Sequence, residues 1–136
     1  MARVLVIEDE PNIAMILEIS LSDEGHEVIT VSGGIPGLRR LEQDPLPDIV
    51  VVDLFMPGVG GRAVVESIHR NPGLRHIPVV IISGSIPSMT NMPPSGSYSA
   101  FIGKPFDLYE VTRMVESLTG SGRQIGVKDA LVSCVS

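Results

Sequence analysis

Three consecutive acids, Glu8-Asp9-Glu10, stand at the end of an apolar run. A further acid, Asp53, a hydroxyl, Ser83, and an amine, Lys104, close or follow three later runs. Singly each is unremarkable, because an acid at the end of a strand is ordinarily a cap or a solvated loop residue. Together they suit one task. Carboxylates held about 4 Å apart repel by about 4 kcal/mol at an effective dielectric of about 20, so they stay ionised together only beside a cation. Oxygen donors with no Cys or His nearby select a hard ion, Mg²⁺ first. Lys104 adds a fixed positive charge and Ser83 a proton donor. A nucleophilic carboxylate, a divalent cation, an ammonium and a hydroxyl offset charge and align the attacking oxygen in phosphoryl transfer.

Such a site needs elements that end at a common edge. Five short apolar runs recur, Val4 to Ile7, Glu27 to Val31, Ile49 to Val52, Val79 to Ile82 and Ala100 to Ile102. Three of them are nearly unbroken Val, Ile and Leu, which fits strands covered on both faces in a parallel sheet. Their length and β-branched content exclude buried helix. Between them the period changes to that of amphipathic helices. Ile13, Leu17 and Leu21 form one stripe, opened by Pro11 and stopped at Gly25. Pro36 to about Gln43 predicts a second helix, with Leu38 and Leu41 facing inward. About Arg62 to His69 predicts a third, ended by Asn71-Pro72-Gly73. A last helix begins near Asp107 as N-cap, carries Leu108, Val111, Val115 and Leu118, and closes at Gly120. Strand and helix alternate, so the class is α/β with right-handed crossovers. Ligands in such sheets bind beyond the carboxyl ends of the strands, where the acids, Ser83 and Lys104 fall. The connection from Gly84 to Ser99 is unusual. Pro87, Pro93, Pro94 and several serines predict a short or irregular fourth helix there.

The chain has 136 residues, 43% of them hydrophobic, enough for one domain with a real core. We place that domain over residues 1–120, with 121–136 as a tail or linker stub. The net charge of -6 argues against nucleic acid as a direct partner, since phosphate backbones demand clustered Lys and Arg. The single cysteine, Cys134, supports no disulfide framework. The start lacks the pattern of a signal peptide, and no apolar run approaches the roughly 20 residues of a membrane helix. A chain away from the membrane, in the cytoplasm, is the expectation.

The segments Val4 to Glu10, Asp48 to Gly61 (DIVVVDLFMPGVGG), Ile81 to Gly84 and Lys104-Pro105-Phe106 resemble the receiver domain of two-component response regulators. The resemblance covers roughly residues 3 to 118, with its blocks in the family's order and spacing. It implies a doubly wound five-stranded parallel sheet of order 2-1-3-4-5 with helices on both faces. It also implies that Asp53 is the phosphoacceptor, with Asp9 a direct Mg²⁺ ligand, Glu8 a ligand through water and the Phe55 backbone carbonyl a third protein ligand. Ser83 and Lys104 would bind phosphoryl oxygens, and Phe101 would be the aromatic switch that follows Ser83. The implied partners are a sensor histidine kinase or a histidine phosphotransfer protein as donor. A downstream protein would bind the face running from the fourth strand to the last helix.

Plainer readings stand beside these. Phe101 alternates with Ala100 and Ile102 as a core aromatic would, and Ser83 could cap the following turn. Phe55 is bulkier than the residue many family members have there, and an overhanging ring would slow water attack on a phosphorylated Asp53. His26, His69 and His76 have no metal-ligand spacing and read as surface or satisfied loop residues. A metal-dependent phosphohydrolase is disfavoured, because Leu54-Phe55 leaves no second acid at i+2 for acid/base work. An interaction module that dropped phosphorylation would need none of Glu8, Asp9, Asp53, Ser83 and Lys104. The stretch before the fifth strand, with Ser97 and Tyr98, departs from the family, so the output surface is less transferable than the chemistry.

Overall fold

The computed structural model describes residues 1–84 and 92–120. Within them the chain runs β1 (Arg3–Ile7), α1 (Pro11–Asp23), β2 (Glu27–Val31), α2 (Gly34–Arg40), β3 (Ile49–Asp53), α3 (Gly61–Arg70), β4 (Val79–Ser83), β5 (Ala100–Gly103) and α4 (Leu108–Thr119). The strands form one five-stranded sheet in the order β2-β1-β3-β4-β5, with every pairing parallel.

The unbroken Val/Ile/Leu runs occupy the middle of that sheet, where β3 and β4 are buried at every position. Successive side chains leave opposite faces of a strand, so each run feeds two cores. Leu5, Ile7, Val50, Val52 and Ile81 pack with Leu41, Val64, Val65 and Ile68 of the α2–α3 side. Val4, Val6, Val51, Val80 and Ile82 pack with Leu17 and Leu21 of α1 and with Val111 and Val115 of α4. Ser20 and Thr112 meet at 3.4 Å between α1 and α4. The edge strand β2 is only half-buried.

Helix ends follow local chemistry. Pro11 occupies the first turn of α1, where no N–H is needed. The Asp107 carboxylate accepts the Tyr109 N–H at 2.9 Å, capping α4, and Gly120 stops that helix with φ 67°. Helix α2 begins at Gly34 rather than Pro36 and ends at Arg40 rather than Gln43. Pro36 falls inside its first turn, which a proline tolerates. The Arg40 guanidinium donates to the carbonyls of Gln43 and Pro45 and holds the residues after the helix in a turn.

The expected fourth helix falls partly on residues 85–91, which lie outside the described residues. Residues 92–99 contain no helix. Met92 and Tyr98 instead pack, with Phe101, against the core on the α2–α3 side. The expected tail, with Cys134, also lies outside the described residues. Among the described residues no helix is long and apolar enough to cross a membrane.

Candidate functional site

Strand register builds the site. Ile7 pairs with Val52, so Glu8 and Asp53 follow side by side on adjacent strands. Asp53 pairs with Ile82, and Ser83 pairs with Gly103, which places Ser83 and Lys104 at the same edge. A slip of one residue in any pairing would turn these side chains to the other face.

At that edge the carboxylates of Glu8, Asp9 and Asp53 each offer an oxygen within 4.8 Å of the others. The Lys104 ammonium donates to Glu8 Oε1 at 3.1 Å and to Asp53 Oδ2 at 3.3 Å. Glu8, Asp53 and Ser83 are buried, whereas Asp9 is half-buried. The other Glu8 oxygen accepts the Glu10 N–H at 3.2 Å, and Asp53 Oδ1 accepts the Phe55 N–H at 3.2 Å. The Lys104 N–H donates to the Ser83 carbonyl at 2.7 Å, which ties the lysine to the end of β4. A groove of about 490 Å³ between α1 and β2 opens beside Glu8 and Asp9.

Burial, and then the neighbouring Asp53 carboxyl, push Glu8 from the usual carboxylate range up to about 7, against the hydrogen bonds from Glu10 and Lys104. Burial works against the Lys104 charge. The hydrogen bond to Glu8 and the attraction of Asp53 and Glu8 outweigh it and hold the ammonium above the usual lysine range. One ammonium is thus shared between buried acids that resist ionising together. A hard cation among three carboxylates is the charge this donor set lacks, and among the described residues no His or Cys joins the cluster to favour a softer one.

The loop after β3 is shaped by a close approach at Gly61. A Cβ there would strike the Asp53 carbonyl oxygen and sit 2.7 Å from Leu54 Cα. The Gly61 N–H closes the loop by donating to the Leu54 carbonyl at 3.0 Å. Met56 is buried beneath the loop, and Phe55 is 45% exposed above it.

Every residue expected at the site from the sequence lies along this edge except Phe101. That ring projects from β5 opposite Ile81 and packs partly buried on the core. His26 is a buried loop residue, one of the two readings expected for it. Its Nδ1 accepts the Ala2 N–H at 3.1 Å and its Nε2 lies 3.6 Å from Glu116 Oε2, away from the acids. Sequence reasoning missed Gly34, whose backbone lies against Val59 of the loop after β3. The only signal was a glycine-rich start, Gly33-Gly34, to a segment with helical period.

A doubly wound parallel sheet gathers three acids, a hydroxyl and a lysine at the carboxyl ends of its strands. The family model for the response regulator receiver domain matches residues 4–116, and the chain belongs to that family, part of two-component signalling systems. It is 35% identical over 142 residues to the response regulator PleD of Caulobacter vibrioides, covering 93% of this chain and 31% of that protein. The chain spans about a quarter to a half of the length of the curated relatives it matches. Its fold is similar to the signal receiver domain of a signal transduction histidine kinase from Syntrophus aciditrophicus. That likeness has TM-score 0.78 and 24% identity, covering 91% of this chain and 94% of that one. It is also similar to the response regulator TrrA of Thermotoga maritima, solved in complex with Mg²⁺ and BeF, with TM-score 0.76 and 27% identity, covering 87% and 99%.

Proposed function

We propose that this chain is a phosphoacceptor switch in which Asp53 takes a phosphoryl group from a phosphohistidine donor. The observation that carries the reading is the Lys104 ammonium, 3.3 Å from Asp53 Oδ2 and 3.1 Å from Glu8 Oε1, beside three clustered carboxylates. An Asp53 oxygen attacks phosphorus in line. The P–O bond forms as the P–N bond breaks, and the departing imidazole takes up a proton. Lys104 and the Ser83 hydroxyl bind the equatorial oxygens, so charge is offset where it develops. Glu8, Asp9, Asp53 and the Phe55 carbonyl would hold Mg²⁺, which would neutralise phosphoryl charge and restrain the approaching groups.

The product adds about two negative charges at the end of β3. Ser83 then moves toward the phosphoryl group, and Phe101 turns into the space vacated. The face from β4 through β5 to α4 changes between two conformations that both exist beforehand. A sensor histidine kinase or a histidine phosphotransfer protein supplies the phosphoryl group in the cytoplasm. The net charge of -6 favours a downstream protein over nucleic acid as what this domain itself touches.

Incubation with Mg²⁺ and a small phosphodonor, followed by intact-mass measurement, tests the reading. Wild type gains the mass of one phosphoryl group and Asp53→Asn does not. A gain of equal size in both proteins would refute Asp53 as acceptor.

A further inference from the structure

The β3–α3 loop, residues 54–60, is fastened to the site at its near end, where the Phe55 N–H donates to Asp53 Oδ1 at 3.2 Å. Its far end is seated on α2. Gly34 is buried in the first turn of that helix. A Cβ placed on it would strike the Val59 carbonyl oxygen and lie 2.8 Å from Val59 Cγ1 and 2.9 Å from Val59 Cβ. Gly34 is not among the glycines with positive φ, so its backbone angle does not require glycine. Only the space does. Helix α2 also contains Pro36 and Gly37, so its sequence gives up helix propensity where it approaches its neighbours closely.

We propose that Gly34 is a positioning residue for Asp53. By letting α2 touch the Val59 backbone it sets the height of the loop, and through the Phe55 N–H it sets the orientation of the Asp53 carboxylate. The same displacement would move the Phe55 carbonyl, so the inference rests on the reading of Asp53 and Phe55 as metal-holding groups. Nothing at Gly34 touches a ligand. Its effect is transmitted through one loop, closed where the Gly61 N–H donates to the Leu54 carbonyl at 3.0 Å.

Gly37 supplies the internal comparison. It is buried on the same helix, but a Cβ there would meet the Ile7 side chain, at 2.5 Å from Cδ1 and 3.0 Å from Cγ1. The nearest atom there is the far end of a side chain, which has more room to give than a main-chain oxygen.

The test uses the full chain as wild type, G34A, G37A and V59A, with three measurements. These are amide NMR shifts of the metal-free protein, calorimetric Mg²⁺ titration and urea unfolding. G34A should shift the Phe55 amide and weaken Mg²⁺ binding about tenfold, the scale of a lost supporting contact around a metal site. G37A should leave the Phe55 amide in place and keep Mg²⁺ affinity within about twofold, whatever it does to the unfolding midpoint. A G34A protein with an unmoved Phe55 amide and wild-type Mg²⁺ affinity would overturn the proposal, as would G37A producing the same changes. If G34A fails to fold, V59A decides, because removing its methyl groups loosens the same seat. Unchanged affinity and an unchanged Phe55 amide in V59A would count against the brace. Absence of saturable Mg²⁺ binding in wild type would instead strike at the metal reading. The metal-free amide shifts would still judge the contact between Gly34 and Val59.

Discussion

Lys104 Nζ stands 3.3 Å from Asp53 Oδ2, although 51 positions separate the two residues in the chain. The lysine leaves the end of the edge strand β5 and crosses β4 to reach an acid on the central strand β3. Its charge offsets part of that of the two buried acids, and under the proposed function it is the group that meets incoming phosphoryl oxygens.

Replacing Lys104 by methionine removes that charge while keeping most of the stem. Phosphorylation of Lys104→Met by a small donor should slow by roughly ten- to a hundredfold, the worth of one charge-assisted hydrogen bond of about 1.5–3 kcal/mol. Time courses of intact mass at fixed Mg²⁺ read the rate. A rate equal to wild type would remove Lys104 from the chemistry.

Glu8 brings a pH dependence with a definite sign. Its carboxyl is raised to about 7 in the metal-free protein, so below that pH a proton must leave before the oxygens can hold a cation. Mg²⁺ affinity should therefore be weaker at pH 6 than at pH 8, with measurable proton release on binding at pH 6. Calorimetry in two buffers of different ionisation heat detects it. Glu8→Gln should flatten the dependence, and an affinity independent of pH in wild type would contradict the assignment.

The same shift makes a stability prediction for the metal-free chain. Folded Glu8 holds its proton more tightly than unfolded Glu8, whose pKa is the ordinary 4.5. Its contribution is fully present below that value and is lost as pH rises through about 7. Urea midpoints without metal should fall between pH 5 and pH 8 more steeply in wild type than in Glu8→Gln. Saturating Mg²⁺ should reduce the difference, because it binds only the folded state. Parallel curves for the two proteins would reject the linkage.

Phe55 is exposed two positions beyond Asp53, and a ring overhanging the acceptor would hinder water attack on the phosphorylated side chain. The acyl phosphate should persist for minutes or longer, and Phe55→Asn should shorten its lifetime about tenfold, equivalent to about 1.4 kcal/mol of barrier. Decay of the phosphorylated mass after donor removal measures this. A wild-type half-life of seconds would show that the ring gives no shelter.

The Asp107 cap offers a control away from the acids. Asp107→Ala frees the Tyr109 N–H and should cost about 1 kcal/mol in urea unfolding. Phosphorylation by a small donor should be unaffected. A large loss of phosphorylation would mean that the start of α4 reaches the site.

The middle of the fold was legible because its signals are local. Val50-Val51-Val52 and Val79-Val80-Ile81-Ile82 cannot be anything but buried strands at that length, and their ends dictate where Asp53 and Ser83 emerge. The site was legible for the same reason, since parallel pairing converts strand ends into neighbours. What escaped was tertiary. Helix α2 starts at Gly34, where its backbone lies against Val59, a contact that no helical period reveals. The burial of His26 depends on the Ala2 amide and on Glu116, residues remote from it in sequence. The segment 92–99 spends its apolar residues on the core without forming a helix, because prolines there forbid the regular ladder.

Lys104 is borne by the border strand of the sheet, while Glu8 and Asp53 ride on interior strands. Borders fray first when a sheet loosens. A molecule with β5 detached would keep its trio of acids as a chelator yet lose the counter-charge that makes the trio useful. Under the proposed function, mild heating should thus silence phosphorylation before it abolishes cation uptake.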